Sequence, residues 1–240
     1  MNRIIPTLIL KDGYIIKGKN FKNHKYVGEP INIVKIFNDK KVDEILILDI
    51  SQKKDFRLIE DISSESTVPI NYAGNVDNLK KFLRLQNMGI EKVCLSSLFQ
   101  KNISQISKFI KIFGSQSISM IFDVKRVNDE YFFGRFNKFF YNYDEFIKTL
   151  KKLNKLELGE ILINDINKDG TETGLDKKLI EKTYFYSNSQ ITYFGGLQNK
   201  QELYKLIERF PQINIGVGSR FIYHNNKKKS VLISYFNTKS

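Results

Sequence analysis

The chain has 240 residues, 41% of them apolar, with 4 prolines, one cysteine and a formal charge of +13. These values exclude a disordered chain and an intrachain disulfide, and no run of eighteen apolar residues is present to span a membrane. The N-terminus lacks the apolar length and cleavage site of a secretory leader, so a cytoplasmic location is expected. The lysines are spread along the chain, apart from Lys227, Lys228 and Lys229. That distribution suits attraction of acidic or phosphorylated small molecules better than a nucleic-acid surface.

In chain order, Ile4–Leu10 reads as a strand and Pro30–Asn38 as a helix with Ile31, Ile33, Val34 and Phe37 on one face. Glu44–Leu48 is a strand, Asp55–Ile62 a helix, Val68–Tyr72 a strand. Val76–Met88 is a helix with Leu79, Phe82, Leu83 and Leu85 inward, then Val93–Leu95 a strand and Ile103–Phe113 a helix. Ile118–Phe122 is a strand. The aromatic segment Tyr131–Tyr143 predicts a hairpin or ordered loop packed over a mouth or against a partner. Asp144–Leu156, Leu175–Tyr186 and Lys200–Phe210 are helices alternating with strands Glu160–Asn164, Ile191–Phe194 and Ile213–Val217. Ser230–Phe236 is expected to close the chain as a short helix. Continuous apolar strands are buried on both faces, and eight β-α units point to a single (β/α)8 TIM barrel.

An internal repeat supports the barrel. Glu44–Ile50 recurs as Glu160–Ile166, Ile70–Gly74 as Ile191–Gly195, Val93–Phe99 as Ile215–Phe221, and Ile9–Lys11 aligns with Asp123–Lys125. All four matches keep their order at nearly one offset, which divides the chain into half-barrels of about 1–114 and 115–240. In this fold the C-terminal strand ends carry chemistry. Those ends are Ile9, Asp49, Ala73, Ser96, Asp123, Asp165, Phe194 and Gly218. His24 and His224 lie far apart and Cys94 sits inside a strand, so neither a metal site nor a cysteine nucleophile is expected. No nucleotide-binding glycine motif occurs, and no cofactor is predicted.

Lys11–Gly18, Val42–Ile50, Phe113–Gln116, Asp123–Val127, Gly159–Leu162 and Asp169–Gly174 together resemble the cyclase subunit of imidazole glycerol phosphate synthase, over roughly Arg3 to Phe221. The resemblance implies a glutaminase docked at the N-terminal face, ammonia crossing the barrel, and two catalytic aspartates at the top. One maps to Asp123; the other position holds Ile9, which cannot move a proton. Asp12, three residues on in the loop, is expected to stabilise the turn at Gly13. The family's bottom gate maps to Arg3, Glu44, Lys92 and Glu160, all with the charge retained, and Glu91 matches a position facing the glutaminase. A purely structural ion-pair plug has the same residues. Phosphate turns map to Gly170, Thr171, Gly195, Gly196, Gly218 and Ser219, with Lys17, Asp49 and Asp165 in loops near the site. In the first half the corresponding turns have become Ala73-Gly74-Asn75 and Ser96-Ser97.

A branch of the family with an apolar residue at the first aspartate position is similar to this chain, including the stretch Lys25–Asn32. Such subunits accompany a glutaminase and an N-sugar amidotransferase in forming acetamidino sugars for O-antigen or flagellin glycans. The expected role is therefore ammonia channelling toward a phosphorylated or nucleotide-linked acceptor. Ring closure as a true histidine-pathway cyclase and a non-catalytic scaffold for the glutaminase stay open as alternatives.

Overall fold

A computed structural model of the chain describes residues 2–19, 22–95, 103–135, 138–223 and 231–236. Eight strands run parallel around a closed barrel: β1 (Ile4–Lys11), β4 (Ile45–Asp49), β5 (Ile70–Ala73), β6 (Lys92–Cys94), β7 (Ile118–Val127), β10 (Glu160–Asp165), β11 (Gln190–Phe194) and β12 (Ile213–Val217). The ring shuts where β12 pairs with β1, Ile4 beside Ile215. Helices α1 (Pro30–Asp39), α2 (Phe56–Glu65), α3 (Leu79–Asn87), α4 (Ile103–Phe113), α5 (Tyr143–Asn154), α6 (Lys177–Tyr184) and α7 (Lys200–Arg209) alternate with the strands, and a single turn, α8 (Ser219–Ile222), follows β12. Among the described residues no helix is long and apolar enough to cross a membrane.

Period-two alternation divides each strand between two cores. Residues such as Ile45, Ile47, Ile161 and Ile163 face outward into the large cluster that holds the helices. Ile5, Leu46, Leu48, Cys94, Leu162 and Phe194 form a separate buried cluster inside the barrel. Helix starts are fixed by side-chain caps. Asn78 accepts from the Lys81 N–H, Asp176 from Leu179, and Asn142 and Glu145 form a reciprocal capping box. These caps start α3 and α6 two or three residues later than the apolar pattern alone predicts. Leu79 and Leu83, expected to point inward, are exposed, and Phe82 and Leu85 form the buried face of α3.

Three further expectations are corrected. Between β1 and α1, where no element was predicted, β2 (Tyr14–Lys19) and β3 (Lys22–Gly28) form an antiparallel hairpin on β1. A matching excursion follows β7: β8 (Glu130–Arg135) and β9 (Lys138–Tyr141) make the predicted aromatic hairpin. Its buried ring Phe133 packs against the helix layer and not over the mouth. Phe133 stacks on Phe146 of α5 with ring centroids 3.8 Å apart. Last, Val231–Phe236 is not helical. Val231 bridges to Tyr223, Leu232 and Ser234 donate to the carbonyls of Ile222 and Phe221, and Tyr235 and Phe236 pack on Phe221. The apolar residues Val231, Leu232, Ile233, Tyr235 and Phe236 fit either period, and the hydrogen bonds to Phe221 and Ile222 select the extended one. Ser96, Ser97, His224, Lys227, Lys228, Lys229 and Ser230 lie outside the described residues.

Candidate functional site

The base of the barrel is closed by charge. Arg3 and Glu44 stand one residue before β1 and β4, while Lys92 and Glu160 open β6 and β10. Each carboxylate bridges both cations. Lys92 Nζ lies 2.9 Å from Glu44 Oε2 and 2.7 Å from Glu160 Oε2; Arg3 contacts Glu44 and lies 3.1 Å from Glu160 Oε1. Arg3 also donates to Gln190 Oε1 at 2.7 Å, and the Thr192 hydroxyl donates to Glu160 Oε1. Burial and then the Glu160 charge push Glu44 above the usual carboxylate range. Burial acts on Glu160 too, but Lys92 and Arg3 outweigh it and hold that carboxyl below the usual range. Glu91, exposed at the same rim, accepts the Ile70 N–H at 2.8 Å, so part of its carboxylate is committed within the chain.

Above this ring the lumen stays polar for one further layer. Asn71, Ser119, Thr192 and Asn214 are fully buried there. Ser119 donates to Asn71 Oδ1 at 2.9 Å, and Asn214 Oδ1 accepts the Arg3 N–H at 2.9 Å. The Nδ2 groups of Asn71 and Asn214, and Glu44 Oε1, have no hydrogen-bond partner among the described residues. Each such group costs about 1–3 kcal/mol if nothing fills it. The apolar waist of Leu46, Cys94 and Leu162 follows. Burial pushes the Cys94 thiol up to about 12, which fits a core residue and not a nucleophile.

At the mouth, Asp123 is nearly buried and its Oδ1 accepts from Asn164 Nδ2 at 2.7 Å. Asp123, Asn164, Ala73, Asp49, Lys11 and His24 line one opening of about 850 Å³. Asp12, on the same rim, holds the turn before Gly13 at positive φ and donates its N–H to Ser51 Oγ. Ile9, paired with Leu48 on the neighbouring strand, is a buried apolar side chain near the C-terminal end of β1. Asp49 is engaged by three donors: the Tyr72 hydroxyl at 2.6 Å, the Ser51 N–H at 2.9 Å and Lys54 Nζ at 3.2 Å. Asp165 accepts the Asn167 N–H, and burial, then Asp176, pushes it up to about 6.

A second, smaller pocket joins the mouth beside β12. Gly170, Gly195, Gly196, Gly218, Ser219 and Lys17 line it. Gly170, Gly195 and Gly196 all have positive φ, and a methyl group at Gly195 would strike the Asp165 carbonyl oxygen at 2.5 Å. Lys17, carried over by the β2–β3 hairpin, is buried and lies 3.1 Å from Asp169 Oδ1. Its ammonium rests on Gly218, where a Cβ would come within 2.9 Å of Nζ. Thr171 sits on the adjoining groove and donates to the Lys168 carbonyl. Sequence reasoning missed Asn164, His24, Asn71, Asn214, Arg220 and Glu172. Their roles depend on which residues face each other across strands, and register is not written in spacing. Period-two parity from Glu160 does point to Asn164, four residues on and facing the same way.

The family described as histidine biosynthesis protein matches residues 3–226. A Leptospira interrogans protein provisionally named imidazole glycerol phosphate synthase subunit HisF is 35% identical over 98% of this chain and 95% of its own length. A similarly named Pseudomonas aeruginosa protein is 33% identical over 97% and 95%. The imidazole glycerol phosphate synthase subunit HisF of Hydrogenobaculum sp. is 31% identical over 93% and 96%. The chain therefore belongs to the histidine biosynthesis protein family, among the HisF-like cyclase subunits of imidazole glycerol phosphate synthase.

Proposed function

We propose that this barrel passes ammonia, made by a glutaminase bound at its N-terminal face, to an acceptor at its altered mouth. The observation that carries the reading is the ring of Arg3, Glu44, Lys92 and Glu160 set beneath unpartnered polar groups. Both carboxylates of the ring are already paired with Arg3 and Lys92, so an ammonium ion finds no free countercharge to offset its desolvation, and neutral ammonia is the species able to enter. Beyond them the amide N–H group of Asn71 or Asn214 can donate to its lone pair, and Glu44 Oε1 can accept a hydrogen bond from one of its N–H groups. A groove of about 680 Å³ on the same face, lined by Gln116, Ser189 and Gln190 among others, suits a docked partner, with exposed Glu91 as a further contact.

Ring closure needs a proton donor and a proton acceptor, a contribution of about 10²–10⁴-fold. Asp123 supplies one carboxylate and Ile9 removes the other. The glycine cradle with Lys17 suits a phosphorylated or nucleotide-linked ligand. Together these features favour a cyclase-like subunit whose ammonia goes to an N-sugar amidotransferase, in acetamidino-sugar formation for surface glycans. The test gives the purified barrel ammonium and the phosphorylated cyclase substrate. No turnover is expected; turnover at the rate of a two-aspartate cyclase would sink this reading. With the glutaminase added, glutamine hydrolysis should rise, and a Lys92→Ala barrel should change that stimulation. An unchanged rate and no complex would remove both the gate and the docking.

One observation favours the alternative of a true cyclase. His24 lines the same opening as Asp123, and its pKa is lowered by burial and then by Lys11, so the imidazole can serve as a neutral base. That reading requires ammonium-dependent turnover that falls in His24→Gln.

A further inference from the structure

The glycine cradle contains a carboxylate that a simple phosphate site would exclude. Glu172 lines the pocket with Gly170, Gly195, Gly218 and Ser219. Its Oε2 is buried, has no hydrogen-bond partner among the described residues, and lies 4.0 Å from Arg220 Nη1. The pocket thus holds two cations, Lys17 and Arg220, against two carboxylates, Asp169 and Glu172. The pairs are unequal. Lys17 is buried and hydrogen-bonded to Asp169 at 3.1 Å, whereas Arg220 is 35% exposed and held to Glu172 by charge without a hydrogen bond. The Ser219 hydroxyl in the same wall is nine-tenths buried and also without a partner among the described residues. A ligand is therefore provided for, and Arg220 is the cation free to turn toward it.

We propose that Glu172 and Arg220 set the ligand specificity of this cradle. Glu172 suppresses the affinity for free phosphate, and Arg220 leaves Glu172 for the anion when a phosphorylated ligand with further contacts enters. This inference rests on the reading of the glycine cradle as an anion site. The released carboxylate would not be stranded, because Glu172 also borders the outer groove lined by Lys19 and Lys25. Placing a like charge beside the wanted group rejects small competitors that have no other contacts to offset it. Inorganic phosphate is the competitor that any open phosphate cradle meets. A phosphate ester carrying a sugar or nucleotide gains contacts along the mouth that phosphate alone cannot make.

The test is calorimetric titration of the whole chain with inorganic phosphate at low ionic strength. Glu172→Gln keeps the side-chain shape and should bind phosphate about tenfold more tightly than the parent, the effect of removing one like charge from a partly solvated site. Adding Arg220→Gln should cancel that gain. Far-ultraviolet circular dichroism and thermal melts establish that each variant is folded. Equal phosphate affinity in the parent and Glu172→Gln would overturn the proposal while leaving the cradle as an anion site. No phosphate binding in either protein would overturn the anion-site reading, and this one with it. A Glu172→Gln gain that survives Arg220→Gln would overturn the part assigned to Arg220.

Discussion

At Asp165 the fold works against ionisation. The side chain is buried at the end of β10 with Asp176 nearby, and its pKa rises from 3.8 to about 6. The folded state therefore holds the proton more tightly than the unfolded chain. For a carboxyl shifted upward, the stabilising effect is complete below the unfolded value and is lost as pH climbs through the folded one. The window is thus pH 3.8 to about 6, and above it the ionised group is a standing cost of about 1–3 kcal/mol. Asp165→Asn keeps an oxygen for the Asn167 N–H and removes the charge. Urea melts should find the variant more stable than the parent at pH 8 and no more stable near pH 4. A gain of the same size at both pH values would show that shape, not charge, sets it. Asp49, its mate in the sequence repeat, has three donors on its carboxylate instead of a neighbouring acid. Equivalent positions have thus acquired different electrostatics from their loops.

The β2–β3 hairpin brings Lys17 to the cradle, and its seat is a glycine. A methyl group at Gly170 would come within 2.3 Å of the Gly18 carbonyl oxygen and 3.0 Å of Lys19 Cα, on a backbone with φ of +68°. Gly170→Ala should therefore lift the hairpin, raise amide hydrogen exchange at Lys17 and Gly18, and weaken phosphate binding by about tenfold or more. Unchanged exchange there would mean that the turn, not the hairpin, yields. This hairpin was illegible in the sequence because Ile15, Ile16, Lys17 and Val27 are nearly all it buries. Its strand character comes from pairing with β1, which no local pattern announces. The barrel strands were legible for the opposite reason: burial on both faces leaves runs such as Ile45–Leu48 and Ile161–Ile163 uniformly apolar. The charge ring was legible because strand starts are, and an isolated charge before an apolar run stands out. Arg220 and Glu172 were not, since they meet only where the turn after β10 faces the end of β12.

Across the whole molecule, the lumen runs from a charged base through a polar layer and an apolar waist to a carboxylate at the mouth. The base also ties the barrel together, since Arg3, Glu44, Lys92 and Glu160 stand at the starts of four strands that are not all neighbours. Such a ring is stable only while it is complete. Removing Lys92 leaves two buried carboxylates sharing one cation, and Lys92→Ala should cost about 3–5 kcal/mol in denaturant melts. Glu44 is the member whose charge the fold already resists, because burial and Glu160 both raise its pKa. Adding Glu44→Gln should therefore restore more than half of the loss, leaving Glu160 paired with Arg3 and the Thr192 hydroxyl. The double-mutant cycle separates a unit from a set of independent pairs. Additive losses would mean that Lys92 and Glu44 do not act on each other. Strong compensation would mean that the charge of Glu44 is held in place by Lys92, so that neutralising one offsets loss of the other. A base that a docking partner opens needs that coupling, since displacing a single side chain must then release the other three.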